Sequence, residues 1–265
     1  MDSSRREFLK LLGFSALGVA GGSSLPVLAE EAASDKRPAL PKGARPPLTA
    51  KRWAMVIDIP QFDLHKSWDR CIEACHSVHN VPDFGEDNLK DEIKWIWTEK
   101  FEKVFPNQEQ KYVAESLHKK DVPVLCNHCD NPPCTRVCPT EATWKRESDG
   151  VVMMDWHRCI GCRYCMVACP YGSRSFNWRN PRPFIDKQDP DYPTRMRGVV
   201  EKCTFCDERL GRGLMPACVD ACEHGEMAFG DLEDPDSEVR SLLSEHFTIR
   251  RKVNLGTQPE IYYIV

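Results

Sequence analysis

The stretch CIGCRYCMVACP, residues 159–170, decides the fold, because its cysteines follow the spacing C-x2-C-x2-C-x3-C-P. Three thiolates at two-residue intervals can wrap a tight loop around three corners of a 4Fe-4S cubane, while the fourth cysteine of such a run ligates a second cluster. We expect this fourth cysteine, Cys169, to start a helix after Pro170 turns the chain. A zinc site takes its cysteines as two separated pairs, so zinc or disulfide bonds are the weaker alternatives.

A second run, residues 126–139, has the related spacing C-x2-C-x4-C-x3-C-P, and the rigid segment DNPP, residues 130–133, fills its longer gap. Because the fourth cysteine of each run ligates the other run's cluster, the two runs predict crossed ligand sets. Cluster 1 is predicted to bind Cys126, Cys129, Cys134 and Cys169, and cluster 2 to bind Cys159, Cys162, Cys165 and Cys138. The two clusters should then lie close enough for rapid electron transfer.

Two further cysteine groups are less diagnostic by themselves. Residues 203–222 follow C-x2-C-x11-C-x3-C, and a C-x2-C pair is also common in zinc ribbons. Residues 71–75 contain only two cysteines, separated by three residues. All four groups therefore close with the same x3 interval, which indicates an internal repeat.

The composition agrees with a chain dominated by metal ligands. Fourteen cysteines in 265 residues exceed what an ordinary core needs, and the net charge of -4 gives no basic footprint for nucleic acid. Short strands are predicted at residues 54–59, at residues 93–97 within an insertion that spans 83–122, and in EIYYIV at the C-terminal end, with a helix near 237–246. The predicted fold class is α+β.

The first fifty residues are predicted to lie outside the folded domain. Arg5 and Arg6 begin a twin-arginine pattern, and the uncharged stretch that follows ends in small residues suited to cleavage, so residues 1–29 are predicted to be a twin-arginine signal peptide. An uncleaved membrane anchor is the alternative. Residues 30–50, rich in proline, alanine and charge, are predicted to form an extended linker or a wrapping arm.

The chain resembles the four-cluster ferredoxin-like electron-transfer subunits of membrane and molybdopterin oxidoreductases. The resemblance depends on the stretches at residues 55–58, 139–174, 197–210 and 255–263. Within that superfamily, CIEACHSVHNVP, EIKWIWTEKFEKVFP and RSFNWRNPRPF are most similar to the iron-sulfur subunits of the Dsr membrane complex (DsrO) and of the Hdr-like menaquinol-oxidizing complex (HmeA).

The resemblance implies two interleaved bacterial-ferredoxin-like modules with insertions, within a domain that spans residues 51–265. The inner module would cover about 123–185, and the outer module 51–82 together with 198–230. It also implies a third cluster, which is predicted to bind Cys203, Cys206, Cys218 and Cys75. The predicted cofactors are therefore three 4Fe-4S clusters.

Cys71 and Cys222 remain as an uncertain pair. The family's first run also has cysteines six and three residues before Cys71, where this sequence has His65 and Trp68. An indole has no lone pair for a metal, so we expect no fourth cubane here and expect Trp68 to fill part of its space. A disulfide between the two cysteines is one outcome, and a degraded iron site that includes His65 is the other.

The histidines and arginines near the cysteines are interpreted as structural residues and not as iron ligands. His76, His79, His128 and His157 are predicted to make hydrogen bonds or face solvent rather than to bind iron. Arg163, Arg174, Arg179 and Arg182 could complement anionic clusters, but we expect them on a solvated surface.

The sequence has no Gly-rich phosphate loop and no nucleophile-base pair, so we predict an electron-transfer subunit without a catalytic site of its own. By resemblance, its partners are a polytopic quinol-interacting membrane subunit and a c-type cytochrome, within a complex held at the extracytoplasmic (periplasmic) face of the membrane. The alternatives are an electron-transfer subunit of a molybdopterin oxidoreductase, or an exported binding protein stabilised by disulfides or zinc.

Overall fold

The computed structural model describes residues 45–108 and 119–265, so the predicted signal peptide and most of the predicted linker lie outside the described residues. Short helices and short strands follow one another in mixed order along this part of the chain. The strands are β1 (Trp53–Asp58), β2 (Ile96–Lys100), β3 (Asp121–Leu125), β4 (Thr143–Lys145), β5 (Val152–Met154), β6 (Ser175–Phe176), β7 (Val200–Glu201), β8 (Met227–Asp231), β9 (Thr248–Ile249) and β10 (Ile261–Ile264). The α-helices are α1 (Ile59–His65), α2 (Trp68–Val78), α3 (Phe101–Val104), α4 (Pro133–Arg136), α5 (Tyr164–Ala168), α6 (Asp207–Leu210), α7 (Ala217–Asp220) and α8 (Glu238–Glu245). This mixture of separate helices and mainly antiparallel strands is an α+β fold, as predicted.

The central sheet joins the two ends of the described chain. Its order is β8-β1-β10-β9, with β1 parallel to β10 and antiparallel to β8. Side chains alternate across β1, so Met55 and Ile57 enter the main core while Ala54 and Val56 pack in a second cluster with Val239 of α8. Because β1 is buried on both faces, it is apolar nearly throughout.

Three two-stranded sheets lie between these ends. They pair β2 with β3, β4 with β5, and β6 with β7, all antiparallel. The strand predicted at 93–97 is present but starts later, at Ile96. The reason is that Trp95 turns into the core, where it is fully buried and its indole N–H donates to Glu201 Oε2 at 3.0 Å.

The predicted elements at the two ends are confirmed. β1 covers the strand predicted at 54–59, β10 lies within the predicted C-terminal strand, and α8 begins after Ser237, whose hydroxyl caps the amide of Arg240. The prediction that a helix starts at Cys169 is wrong. Helix α5 instead ends there, because the residue before Pro170 is pushed out of the helical region into extended backbone.

The N-terminal end of the described chain, residues 45–50, forms neither helix nor strand. It packs against the region around α6, since Leu48 N–H donates to Leu210 O at 2.9 Å. Among the described residues, no helix is both long enough and apolar enough to span a bilayer.

Candidate metal centres

The four cysteines predicted for cluster 1 line one pocket. They are Cys126, directly after β3; Cys129, in the following loop; Cys134, on α4; and Cys169, at the end of α5. The pocket is otherwise lined by proline, valine, asparagine, tyrosine and arginine side chains. Burial raises the pKa of the Cys129 thiol, and the three neighbouring thiols raise it further.

The four cysteines predicted for cluster 2 line a second pocket: Cys138, Cys159, Cys162 and Cys165. Only Cys165 is fully buried, so this pocket lies nearer to solvent than the first. Gly161 shapes its loop. Its φ is +71°, and a Cβ at this position would clash with the carbonyl oxygen of Gly198, so both backbone angle and space require glycine.

The four cysteines predicted for cluster 3 are neighbours in the core, where α2 packs against α7. Burial raises the pKa of the Cys75 thiol most, and the thiols of Cys206, Cys218 and Cys203 raise it further. Two backbone amides point at sulfur here: Phe205 N lies 3.4 Å from Cys203 Sγ, and Ala217 N lies 3.3 Å from Cys206 Sγ. Such amides stabilise thiolates or cluster sulfur.

The spacing of the thiols distinguishes between cluster and zinc. Within residues 45–108 and 119–265, one group of three potential metal donors has its ligand atoms within 4.8 Å of one another, His79, Cys206 and Glu208, and it contains a single cysteine. A tetrahedral zinc site with Zn–S bonds of about 2.3 Å would bring its sulfurs to within roughly 4 Å. The donor sets therefore fit a group larger than a single ion.

Two buried cations lie beside these cysteines. Arg174 Nη2 donates to Cys134 Sγ at 3.0 Å and to Thr143 Oγ1 at 2.9 Å, and Lys202 Nζ donates to the carbonyl oxygens of Val152 and Cys203. Arg174 is 4% exposed and Lys202 is fully buried. The expectation of a solvated Arg174 is therefore wrong, because this side chain fills the space between the two cysteine runs.

The surroundings of both cations lack the usual counter-ion. Burial lowers the pKa of Arg174, but the thiols of Cys134 and Cys165 more than offset this and hold the pKa above its ordinary value. Burial lowers the pKa of Lys202, against an opposing effect of the Cys126 thiol. No carboxylate among the described residues bonds to either cation. Since buried charges need a partner, an anionic occupant of the pockets, such as a thiolate-ligated iron-sulfur cluster, fits these residues.

The predicted histidines behave mainly as hydrogen-bonding groups. His128 is buried, with Nε2 3.1 Å from Cys203 O and Nδ1 accepting from Val152 N, so both ring nitrogens are occupied by backbone. His76 Nε2 is 3.2 Å from Ile96 O, and His157 is exposed. His79 lies between the carbonyl oxygen of Cys75 at 2.7 Å and Glu208 Oε1 at 3.0 Å.

The remaining two cysteines, Cys71 and Cys222, form a pair of their own that adjoins Cys218 of the third set. Their sulfurs are 2.9 Å apart, and the rings of His65 and His224 stack near them with centroids 3.9 Å apart. The hydrogen bond from Cys222 lowers the pKa of the Cys71 thiol and raises that of Cys222. Trp68 is partly buried against the main core, which also contains Cys71.

The pockets adjoin one another. Cys134 of cluster 1 raises the pKa of Cys165 of cluster 2, after burial, and Cys126 of cluster 1 does the same for Cys203 of cluster 3, whose pKa reaches about 12. The cysteines predicted for cluster 1 therefore lie between the other two sets. Sequence reasoning missed Lys202 altogether. The one sequence feature that could have pointed to Lys202 is its position directly before Cys203.

The sequence of this chain is similar to those of known proteins over most of its length. Residues 118–182 and 190–232 match the 4Fe-4S dicluster domain family. The chain is 38% identical to Hdr-like menaquinol oxidoreductase iron-sulfur subunit 1 of Archaeoglobus fulgidus, over 98% of this chain and 97% of that protein. It is 35% identical to the menaquinone reductase iron-sulfur cluster-binding subunit of Nitratidesulfovibrio vulgaris, over 80% of this chain and 88% of the relative.

A third relative, the NrfC homolog of Haemophilus influenzae, is 35% identical over 98% of this chain and 94% of its own length. These matches confirm the resemblance that the cysteine runs indicated. The chain belongs to the 4Fe-4S dicluster family of iron-sulfur electron-transfer subunits, and it is similar over nearly its whole length to the iron-sulfur subunit of a menaquinol oxidoreductase.

Proposed function

We propose that the protein carries three 4Fe-4S clusters and relays single electrons between redox partners in a respiratory complex. The ligands are the three sets already described: Cys126, Cys129, Cys134 and Cys169; Cys159, Cys162, Cys165 and Cys138; and Cys203, Cys206, Cys218 and Cys75. The observation that carries this proposal is the composition of the two pockets. Each is lined by three cysteines of one run and the last cysteine of the other, and each adjoins a buried cation.

The clusters supply one-electron chemistry, and the chain's residues supply the binding, the shielding and the tuning of that chemistry. The cluster 2 cysteines are the most accessible of the three sets, and the loop that carries them exposes Ile160, Tyr164 and Val167. An apolar surface beside a redox centre suits the docking of an electron-transfer partner. We therefore place one end of the relay at cluster 2.

The partners are proposed from the relatives. Similarity to menaquinol and menaquinone oxidoreductase subunits supports a quinol-interacting membrane subunit, with a c-type cytochrome as the second partner. The protein is proposed to be exported by the twin-arginine route and held peripherally at the periplasmic face. Residues 1–29 would be the signal peptide and 30–50 the linker. Interleaved modules within 51–265 are supported by the pairing of β1 with β8 across the cysteine runs.

Anaerobic purification of the complex from its native membrane tests this function. We expect brown protein with about twelve iron atoms per chain, three cubanes of four, and we expect a multi-span membrane subunit and a heme protein to copurify. Recovery with a molybdopterin-containing subunit instead would contradict the quinol-to-cytochrome assignment. A colourless, zinc-containing preparation would contradict the cluster assignment itself.

A further inference from the structure

The two buried cations are distributed unevenly among the three cysteine sets. Arg174 lies between the cysteines of clusters 1 and 2, since it donates to Cys134 Sγ at 3.0 Å and lies beside Cys165. Lys202 lies between those of clusters 1 and 3, since it donates to the carbonyl oxygen of Cys203 at 2.7 Å and adjoins Cys126. The cluster 1 cysteines thus have two buried cations beside them, and each of the other sets has one.

Other charges increase this difference. Glu208 raises the pKa of Cys75, Cys206 and Cys203 in addition to burial, so a carboxylate faces the cluster 3 cysteines. In the cluster 2 set, Cys138, Cys159 and Cys162 are partly exposed, so solvent screens the charge of Arg174 there more than in the first pocket.

Both cations are suited to act as fixed positive charges. An arginine guanidinium stays protonated in proteins, and the carbonyl oxygens of Val152 and Cys203 stabilise the ammonium form of Lys202, because both accept hydrogen bonds from its Nζ. Reduction adds one negative charge to an iron-sulfur cluster, and net charge, hydrogen bonds to sulfur and exposure set its potential. A buried cation therefore favours the reduced state of the cluster beside it.

We propose that Arg174 and Lys202 tune the relay by making cluster 1, which lies between the other two, the most easily reduced of the three clusters. The inference rests on the proposed ligand sets. Its functional consequence is that a single electron entering the relay resides on cluster 1, shielded from solvent, before it leaves toward either end.

The test is a redox titration of the iron-loaded full chain, followed by electron paramagnetic resonance, with the cluster 1 signal assigned through Cys169→Ser. In the unmodified protein, cluster 1 should have the highest midpoint potential. Arg174→Gln should lower the midpoint potentials of clusters 1 and 2 and leave that of cluster 3 unchanged. Lys202→Met should lower the midpoint potentials of clusters 1 and 3 and leave that of cluster 2 unchanged. Only cluster 1 should shift in both variants.

Arg158→Gln is the matched control. Arg158 directly precedes Cys159, but its side chain is 63% exposed and pairs with Asp155, so its removal should leave all three potentials unchanged. Arg174→Lys keeps the charge and should keep potentials close to those of the unmodified protein. If Arg174→Gln loses iron while Arg174→Lys retains it, the need for a positive charge at this position is supported.

Three results would overturn the proposal: unchanged potentials in Arg174→Gln and Lys202→Met with full iron content, equal shifts of all three clusters in both variants, or loss of iron in Arg174→Lys as well as Arg174→Gln. An error in the proposed ligand sets would give a separate result. It would appear as an iron content far from twelve atoms in the unmodified chain, before any cation is changed.

Discussion

At the scale of single residues, the fourth cysteine of each run is the most informative position. Cys169 follows α5 in the run of cluster 2 but lies in the pocket of cluster 1, beside Cys126 and Cys129. We therefore predict that Cys169→Ser alters or removes the cluster 1 signal and leaves that of cluster 2, as measured by magnetic resonance and iron content. Cys165→Ser, in the same run, is the control and should affect cluster 2. The opposite pattern would show that ligation is not crossed.

Cys71 and Cys75 lie one helical turn apart on α2, yet we expect opposite results from their substitution. Cys75 is surrounded by three cysteines of the third set, whereas the Cys71 thiol bonds to that of Cys222. Cys75→Ser should lower the iron content from about twelve atoms toward eight. Cys71→Ser should leave the iron content unchanged. About sixteen atoms in the unmodified protein, or iron loss in Cys71→Ser, would show a fourth metal site.

The same pair yields a prediction about oxidation. Because the Cys71 and Cys222 thiols are in contact and are proposed to lie in an oxidising compartment, we expect a disulfide in protein recovered after export. Peptide mapping under non-reducing conditions should find the two peptides linked, and Cys222→Ser should abolish the linked species. Two alkylated thiols in exported protein would contradict the proposal.

At the scale of elements, the cysteine loops depend on glycine in unequal ways. Gly161 and Gly172 both have left-handed backbone, with φ of +71° and +68°, but only at Gly161 would a Cβ meet another part of the backbone. Gly172→Ala should therefore cost only the conformational strain of about 1–2 kcal/mol and keep full iron content. Gly161→Ala adds a clash with Gly198, so we predict loss of cluster 2, about four iron atoms per chain. Iron analysis with thermal unfolding of both variants measures the difference.

At the scale of the whole molecule, the three adjoining cysteine sets are proposed to form one relay with cluster 1 in the middle, and the export of the protein is proposed to depend on residues 1–29. Replacement of Arg5 and Arg6 by lysine should leave the protein in the cytoplasm, because the twin-arginine pattern is the proposed export signal. Fractionation with antibody detection, beside the unmodified protein, measures this. Unchanged export of the double variant would remove the basis for a periplasmic location.

The sequence by itself determined the features that depend on short-range geometry. The spacing of residues 159–170 and 126–139 identified cysteines that the fold then brings to two pockets, because a loop of two-residue intervals can wrap few other groups than a cubane. Likewise, the helix predicted near residues 237–246 is present as α8, since helix signals such as the Ser237 cap act within a few positions.

Only the tertiary structure decided the features that arise from contacts between distant residues. Arg174 looked like a surface residue, and Lys202 drew no attention, because burial and neighbouring charge come from segments far away in the sequence. Strand β2 starts later than the sequence predicts for the same reason, since the indole of Trp95 forms a hydrogen bond with Glu201, 106 residues later in the chain. The cysteine runs that form the two pockets could be predicted from local spacing, but the charges proposed to tune the clusters could be identified only in the packed structure.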